Sequence, residues 1–391
     1  MKCRLCGEKN VQLLINFGEQ PIVHNLKKTV DEISKKYSFK LGHCTNCDLL
    51  QLIDCIDPNI LYENYFTLSS WKNQPHVERL ITVMEDITGI QKDSNILEIG
   101  CNDGSFLQKL NELNYKKLFG IEPTNDAYNA AITKLPNIHH GFFGKDTAQT
   151  LYKKNFFDVV VTRQVLEHIT DLEDFLQGIN LILSDEGHLI IEVPDSNWNL
   201  EHLDYALWEE HVNYFTKSTL EKLLALHGFS IIHYETTLFS GKALTVFCQR
   251  NKDIKNSVIA STDKEKIEKY KNEWPEFKDG LRKFLLSQEK PIVIYGCGAR
   301  SSTFLNFTSI GDLIEAFIDD QPEKQNLLVP GSDIPIKPWD EKYRNYTILL
   351  GVNTENEHKV IQKRQLDKKS TYSVLPPSSL IPEFWNKLIH D

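Results

Sequence analysis

The chain has 391 residues, enough for two or three domains at roughly 100–200 residues each. Its formal net charge is -10, and an acidic chain repels phosphate backbones, so nucleic acid is excluded as the expected partner. No apolar run approaches the roughly 20 residues that span a bilayer, and Met1-Lys2-Cys3-Arg4 lacks the apolar core of a signal peptide; a cytoplasmic protein with no membrane partner is expected.

Residues 1 to about 60 read as irregular, with short strands around two CxxC pairs, Cys3-Arg4-Leu5-Cys6 and Cys44-Thr45-Asn46-Cys47. In a reducing compartment such pairs favour metal over disulfide. Two such hairpins can present four thiolates tetrahedrally to one zinc ion, and a closed four-thiolate site keeps no open position. A structural zinc held by Cys3, Cys6, Cys44 and Cys47 is therefore expected, with no obligatory place for His24 or His43 as ligands. The scattered Cys55, Cys101, Cys248 and Cys297 are expected to be buried thiols.

Apolar spacing predicts a helix from about 72 to 90. The run Asn95-Ile96-Leu97-Glu98-Ile99-Gly100 is a short apolar strand ending in a glycine turn, and Phe106 to Leu113 reads as a helix. Further strands are expected at Leu118–Glu122, Asp158–Thr162 and Leu189–Val193. Strands alternating with helices argue for a mostly parallel sheet covered on both faces. The turn Glu98-Ile99-Gly100-Cys101-Asn102-Asp103-Gly104 lacks the three-glycine dinucleotide spacing. Its glycines let the backbone approach a ligand, and its acidic and amide side chains suit a zwitterionic cofactor carrying a sulfonium cation better than a pyrophosphate. Glu122, at the end of the next strand, can accept both hydroxyls of a ribose. Gln164 lies just beyond the carboxyl end of the Asp158 strand, where ligands bind in open parallel sheets, and can reach the cofactor from there.

The stretch Lys252 to Lys290 is charged and helical and is expected to bridge two domains. A second strand-glycine-helix unit opens at Pro291 and runs through Gly296-Cys297-Gly298, with more strands at Ala316–Asp320 and Thr347–Gly351. Glycine turns cradle phosphates, and Arg300, Ser301 and Ser302 would help to hold a diphosphate; no nicotinamide cofactor is expected there.

The ordered set Glu98, Gly100, Gly104, Glu122 and Gln164 resembles the class I methyltransferases, whose Rossmann-like sheet binds S-adenosylmethionine. A narrower resemblance runs nearly end to end. The cysteine pairs with Gly18-Glu19-Gln20-Pro21 to Asn25, the run Arg163 to His168 with Glu192-Val193-Pro194 and Glu210 to Phe215, and Tyr295 to Asn306 with Pro330-Gly331 resemble the sugar C-methyltransferases of deoxysugar biosynthesis. The resemblance implies an α/β architecture: a small zinc-binding domain (1–70), a Rossmann-like class I methyltransferase core (71–250), and a second Rossmann-like domain with a helical linker (251–391).

That family methylates carbon 3 of a nucleotide-linked 4-keto-6-deoxy sugar through an enolate. The resemblance places His211 as the base, His168 near the enolate oxygen, Glu210 as the group that orients or tunes His211, and Tyr65 in the segment that contacts sugar and base. It implies cofactor contacts from Glu98, Gly100, Asn102, Asp103, Gly104, Glu122 and Gln164, a nucleotide-sugar partner, and a monomer or small homo-oligomer. Trp208 and Thr67 stand where the family usually has tyrosines, and Ser240 to Leu244 replaces a double-glycine run. An O- or N-methyltransferase on a related sugar nucleotide is the alternative, with His211 deprotonating a hydroxyl instead.

Overall fold

The computed structural model describes residues 1–61, 74, 76–204, 207–239, 241–251, 253 and 263–374, with residues 59, 354 and 355 described by backbone only. Tyr65, Thr67 and Ser240 lie outside the described residues. Three sheets organise the chain. The first is built from β1 (Val11–Pro21), β2 (Lys36–Cys44) and β3 (Leu50–Leu52). The expectation of short strands is corrected here: β1 and β2 form a long antiparallel hairpin whose register slips twice, after Leu13 and after Asn16. Those slips interrupt the clean two-residue alternation that would have marked the strands in the sequence.

The central sheet holds β4 (Asn95–Ile99), β5 (Lys117–Glu122), β6 (Ile138–His140), β7 (Phe157–Arg163) and β8 (Leu183–Pro194). The short β9 (Asn213–Tyr214) leaves this sheet and pairs instead with β3 of the first. The chain then returns as β10 (Phe229–Leu238) and β11 (Lys242–Arg250). The strand order is β10-β11-β8-β7-β4-β5-β6, with β11 alone running against its neighbours. Val159, Val160 and Val161 are buried on both faces of β7, as a central parallel strand requires. β10 alternates between covered and open positions because it is an edge strand. The order reverses between β4 and β7, which makes their carboxyl ends the natural crevice for a ligand.

The helix Lys264–Ser287 buries Ile267, Tyr270, Trp274, Phe277, Leu281 and Phe284 along one face, at three- and four-residue spacing. It leads into the third sheet: β12 (Ile292–Tyr295), β13 (Ile314–Ile318), β14 (Ile336–Lys337), β15 (Thr347–Leu350) and β16 (Thr371–Ser373). All five strands are parallel, in the order β14-β13-β12-β15-β16.

The N-terminal hairpin joins the other two parts. Its cysteine end (Cys3, Leu5, Cys44, Leu49) shares a core with Leu166, Phe175, Phe215 and Leu220 of the central part. Its far end (Leu14, Phe17, Phe39) shares a core with Trp274, Phe277 and Phe307. Phe17 stacks on Phe307 at 4.3 Å and meets Trp274 edge-on at 5.4 Å. Phe17→Ala should therefore lower stability by about 3–5 kcal/mol, the usual cost of a buried aromatic. Chemical denaturation would show this as a lower midpoint, and an unchanged midpoint would mean that the two parts do not fold as one unit.

Cys101, Cys248 and Cys297 are buried as expected, but Cys55 is exposed and its sulfur accepts a hydrogen bond from Arg4 Nη2 at 2.7 Å. Among the described residues, no helix is long and apolar enough to cross a membrane.

Candidate active site

The four cysteines converge. Cys3 and Cys47 sulfurs lie 3.5 Å apart, Cys6 and Cys44 sulfurs 3.7 Å, and all four fall within 4.8 Å of one another. Zinc–sulfur bonds of about 2.3 Å in a tetrahedron require sulfurs about 3.8 Å apart, so the donor set fits zinc. Each hairpin closes on itself, with Gly7 N donating to Cys3 O (3.0 Å) and Asp48 N to Cys44 O (2.8 Å). His43 faces Asp48 Oδ1 at 2.8 Å and His24 faces Glu210, so neither histidine turns to the sulfurs.

At the switch point, a cavity of about 340 Å³ runs along the ends of β4, β5 and β7. Gly100, Asn102, Glu122, Phe143, Arg163, Gln164, His168 and Glu210 line it, and His211 does not. Gly100 has φ 71°, and a Cβ there would stand 2.4 Å from Val165 Cγ2, so only glycine lets the turn pass. Glu122 Oε2 accepts from Asn102 N at 2.8 Å and Oε1 from Thr124 N at 2.9 Å, which holds the carboxylate at the cavity wall. Burial pushes its pKa up. Gln164 also takes a left-handed φ of 55°, and its Nε2 donates to Glu192 Oε1 at 3.4 Å. Strain of this kind collects at functional sites.

Three of the residues expected around the cofactor stand back from the cavity. Glu98 is fully buried and takes Arg163 Nε and Nη2 on Oε1 at 3.0 and 2.8 Å; burial pushes it up to about 7 despite that partner. It acts on the cavity through Arg163, which does line it. Asp103 accepts from Ser105 N and Oγ and from Lys134 Nζ at 2.7 Å, anchoring the start of the helix Ser105–Glu112. A Cβ on Gly104 would stand 3.3 Å from Ala131 Cβ.

The two expected histidines meet beside the cavity, with His168 at its wall. The rings of His168 and His211 are 4.7 Å apart and perpendicular. Val212 N donates to Glu167 O, and Asn213 Nδ2 donates to Ile169 O, which stitches the 211–213 segment to the segment after β7. His168 Nδ1 lies 3.0 Å from the Glu210 carbonyl. Burial, then the neighbouring His168 and Arg300, hold His211 well below the ordinary histidine range, so it is neutral. Burial would push Glu210 up, but His24 beside its carboxylate outweighs that and holds it at about 2. The Glu210 carboxylate faces His24 Nε2 at 3.8 Å rather than the His211 ring. Glu210 thus tunes the site by charge, while its main-chain carbonyl orients His168.

His24 and Glu167 are the site residues that sequence patterns did not single out. His24 arrives from the loop after β1, and Val23 N beside it donates to Glu209 Oε1 at 2.8 Å. A cysteine-bounded insertion carries no signal of where its loop will dock. Glu167 lies in the short turn Leu166–His168 after β7, where a single carboxylate carries no periodic signal. Arg300 of the third sheet's first helix also differs from expectation. It is 4% exposed and donates to Asp204 Oδ1 at 2.9 Å, and Ser301 Oγ donates to Gly296 O. A Cβ on Gly296 would meet Val352 at 2.7 Å, whereas one on Gly298 would meet nothing within 4 Å.

Known families match the chain in the same order. A zinc binding domain matches residues 3–62, a methyltransferase domain 71–234 and a C-methyltransferase C-terminal domain 205–376. The C-methyltransferase NovU of Streptomyces niveus is 23% identical over 379 residues, 90% of each chain. A ubiquinone biosynthesis O-methyltransferase of Rhodopseudomonas palustris is 24% identical over 43% of this chain and 70% of its own. The crystal structure of a SAM dependent methyltransferase from Archaeoglobus fulgidus superposes on 48% of this chain and 100% of its own, at 16% identity and a TM-score of 0.40. With a four-cysteine zinc knuckle, a glycine cradle at a parallel switch point and these three domains in sequence, the chain is an S-adenosylmethionine-dependent methyltransferase of the kind that ends in a C-methyltransferase C-terminal domain.

Proposed function

We propose that the chain methylates carbon 3 of a nucleotide-linked 4-keto-6-deoxy sugar, in the making of a branched deoxysugar. One observation carries this reading: the buried His211 stands 4.7 Å, ring to ring, from His168, which lines the same cavity as Gly100, Asn102 and Glu122. Carbon methylation beside a ketone needs a base for the neighbouring proton and a polar group near the oxygen where charge develops. His211 takes the proton and His168 faces the oxygen. Glu210 keeps a negative charge beside both rings, which favours His211 once it is protonated. S-Adenosylmethionine, when bound, supplies the electrophilic methyl group. Gly100, Asn102 and Glu122 would hold it, Glu122 by accepting the ribose hydroxyls, and Gln164 lines the same cavity.

The relative NovU is named a C-methyltransferase, and 90% of each chain takes part in that match. O- or N-methylation of a related sugar nucleotide is the second reading. It draws on the ubiquinone O-methyltransferase match over the central part, because a neutral histidine can also deprotonate a hydroxyl.

The decisive experiment incubates the enzyme in deuterated water with a panel of 4-keto-6-deoxy sugar nucleotides and labelled methyl donor. Product carrying the methyl group on carbon, with solvent deuterium washed into the acidic position of unreacted substrate, is expected. Methyl on oxygen or nitrogen without wash-in would transfer the assignment to the second reading. Glu122→Ala should weaken S-adenosylmethionine binding about 10- to 100-fold, the loss of hydrogen bonds to a charged group at about 1.5–3 kcal/mol. Calorimetry measures it, and an unchanged Kd would remove Glu122 from the ribose.

A further inference from the structure

Glu167 is 1% exposed, and among the described residues neither of its carboxylate oxygens has a hydrogen-bond partner. A buried carboxyl left in that state costs folding free energy, so its surroundings call for an explanation. Those surroundings are the two histidines. Glu167 Oε1 stands 4.0 Å from His168 Nε2, and one donor atom from each of Glu167, His168 and His211 lies within 4.8 Å of the others. On the other side of its ring, His168 Nδ1 meets the Glu210 carbonyl at 3.0 Å. A main-chain carbonyl on the second nitrogen is how metal-ligating histidines are oriented, and it turns Nε2 toward the cluster.

We infer that Glu167, His168 and His211 form a second cation site, distinct from the cysteine knuckle, for a borderline divalent transition cation such as Zn²⁺ or Co²⁺. Two imidazoles with one carboxylate suit such ions, whereas Mg²⁺ and Ca²⁺ prefer sets of oxygens. Three protein donors leave coordination positions open, and His168 lines the cavity, so the site adjoins the substrate space. A cation held there uses the nitrogen that His211 needs for proton abstraction. Metal binding and turnover therefore exclude one another. This second statement rests on the proposed base role of His211, whereas the binding itself does not.

The test titrates Co²⁺ into the full chain with its knuckle already filled by zinc. A second metal equivalent is expected, with weak visible ligand-field bands and without the intense thiolate charge-transfer bands that exchange into the knuckle would give. Glu167→Gln and, separately, His168→Gln should each lose that equivalent while keeping the knuckle zinc; loss in either one supports the site. Absence of a second equivalent in the unaltered protein, thiolate bands accompanying it, or its retention in both variants would overturn the inference. Methyl transfer should fall over the same Co²⁺ range that fills the site. Binding without inhibition would leave the site standing and remove His211 as the base.

Discussion

Replacing His211 with asparagine is expected to slow methyl transfer by about 10²–10⁴-fold, the usual contribution of a positioned general base. Binding of S-adenosylmethionine should be unchanged, because His211 is not among the residues around the cofactor cradle. Wash-in of solvent deuterium should disappear with turnover. The pH profile gives an independent check on the same residue. The His211 pKa is lowered, so its neutral, proton-accepting form persists as pH falls below the ordinary histidine value of about 6.5. The acid limb of kcat/KM for the unaltered enzyme should therefore lie below that value, and activity should be lost only as pH drops through the lowered pKa. Full turnover in His211→Asn, or an acid limb above about 6.5, would assign the base elsewhere.

Zinc removal is the other change with a large expected effect. Structural zinc contributes apparent folding free energies of about 10–16 kcal/mol in isolated finger peptides, so stripping it should melt the first sheet. The consequence reaches the active site through a short chain of main-chain bonds. Cys44 ends β2, β2 pairs with β3, and β3 pairs with Asn213 and Tyr214 of β9, two residues beyond His211. Arg4, inside the first cysteine hairpin, donates to Val212 O at 3.0 Å, the main chain next to the base. The same domain delivers Val23 to Glu209 and His24 to Glu210. Cys44→Ser, or chelation of the zinc, should therefore abolish turnover and lower the thermal midpoint together, with activity tracking zinc content. A zinc-free protein that kept full kcat would show that the knuckle is remote from the chemistry.

Much of the central sheet was legible because its signals are local. β4 and β7 are mostly apolar runs, interrupted by Glu98 and Asp158, with a glycine or polar turn at their carboxyl ends, the pattern of parallel strands buried on both faces. The cysteine pairs were legible for a similar reason: two residues between cysteines already make a hairpin that a metal can close. The cofactor turn was only partly legible. The motif Glu98 to Gly104 marks the place, but whether a side chain in it faces the cavity depends on partners distant in the chain. Arg163 takes Glu98 and Lys134 takes Asp103, leaving Gly100, Asn102 and Glu122 at the wall.

The chain's sequence by itself determined that a zinc knuckle precedes a methyl-donor site, because each rests on a few residues close together. Only the tertiary structure decided what the knuckle is for. Its long hairpin is clamped between two hydrophobic cores, its sheet takes in the strand that follows His211, and its His24 meets the carboxylate of Glu210. Those contacts join residues as far apart in the chain as Phe17 and Phe307. Burial, charge and strand pairing over such separations are properties of the packed molecule, and no local pattern of residues encodes them.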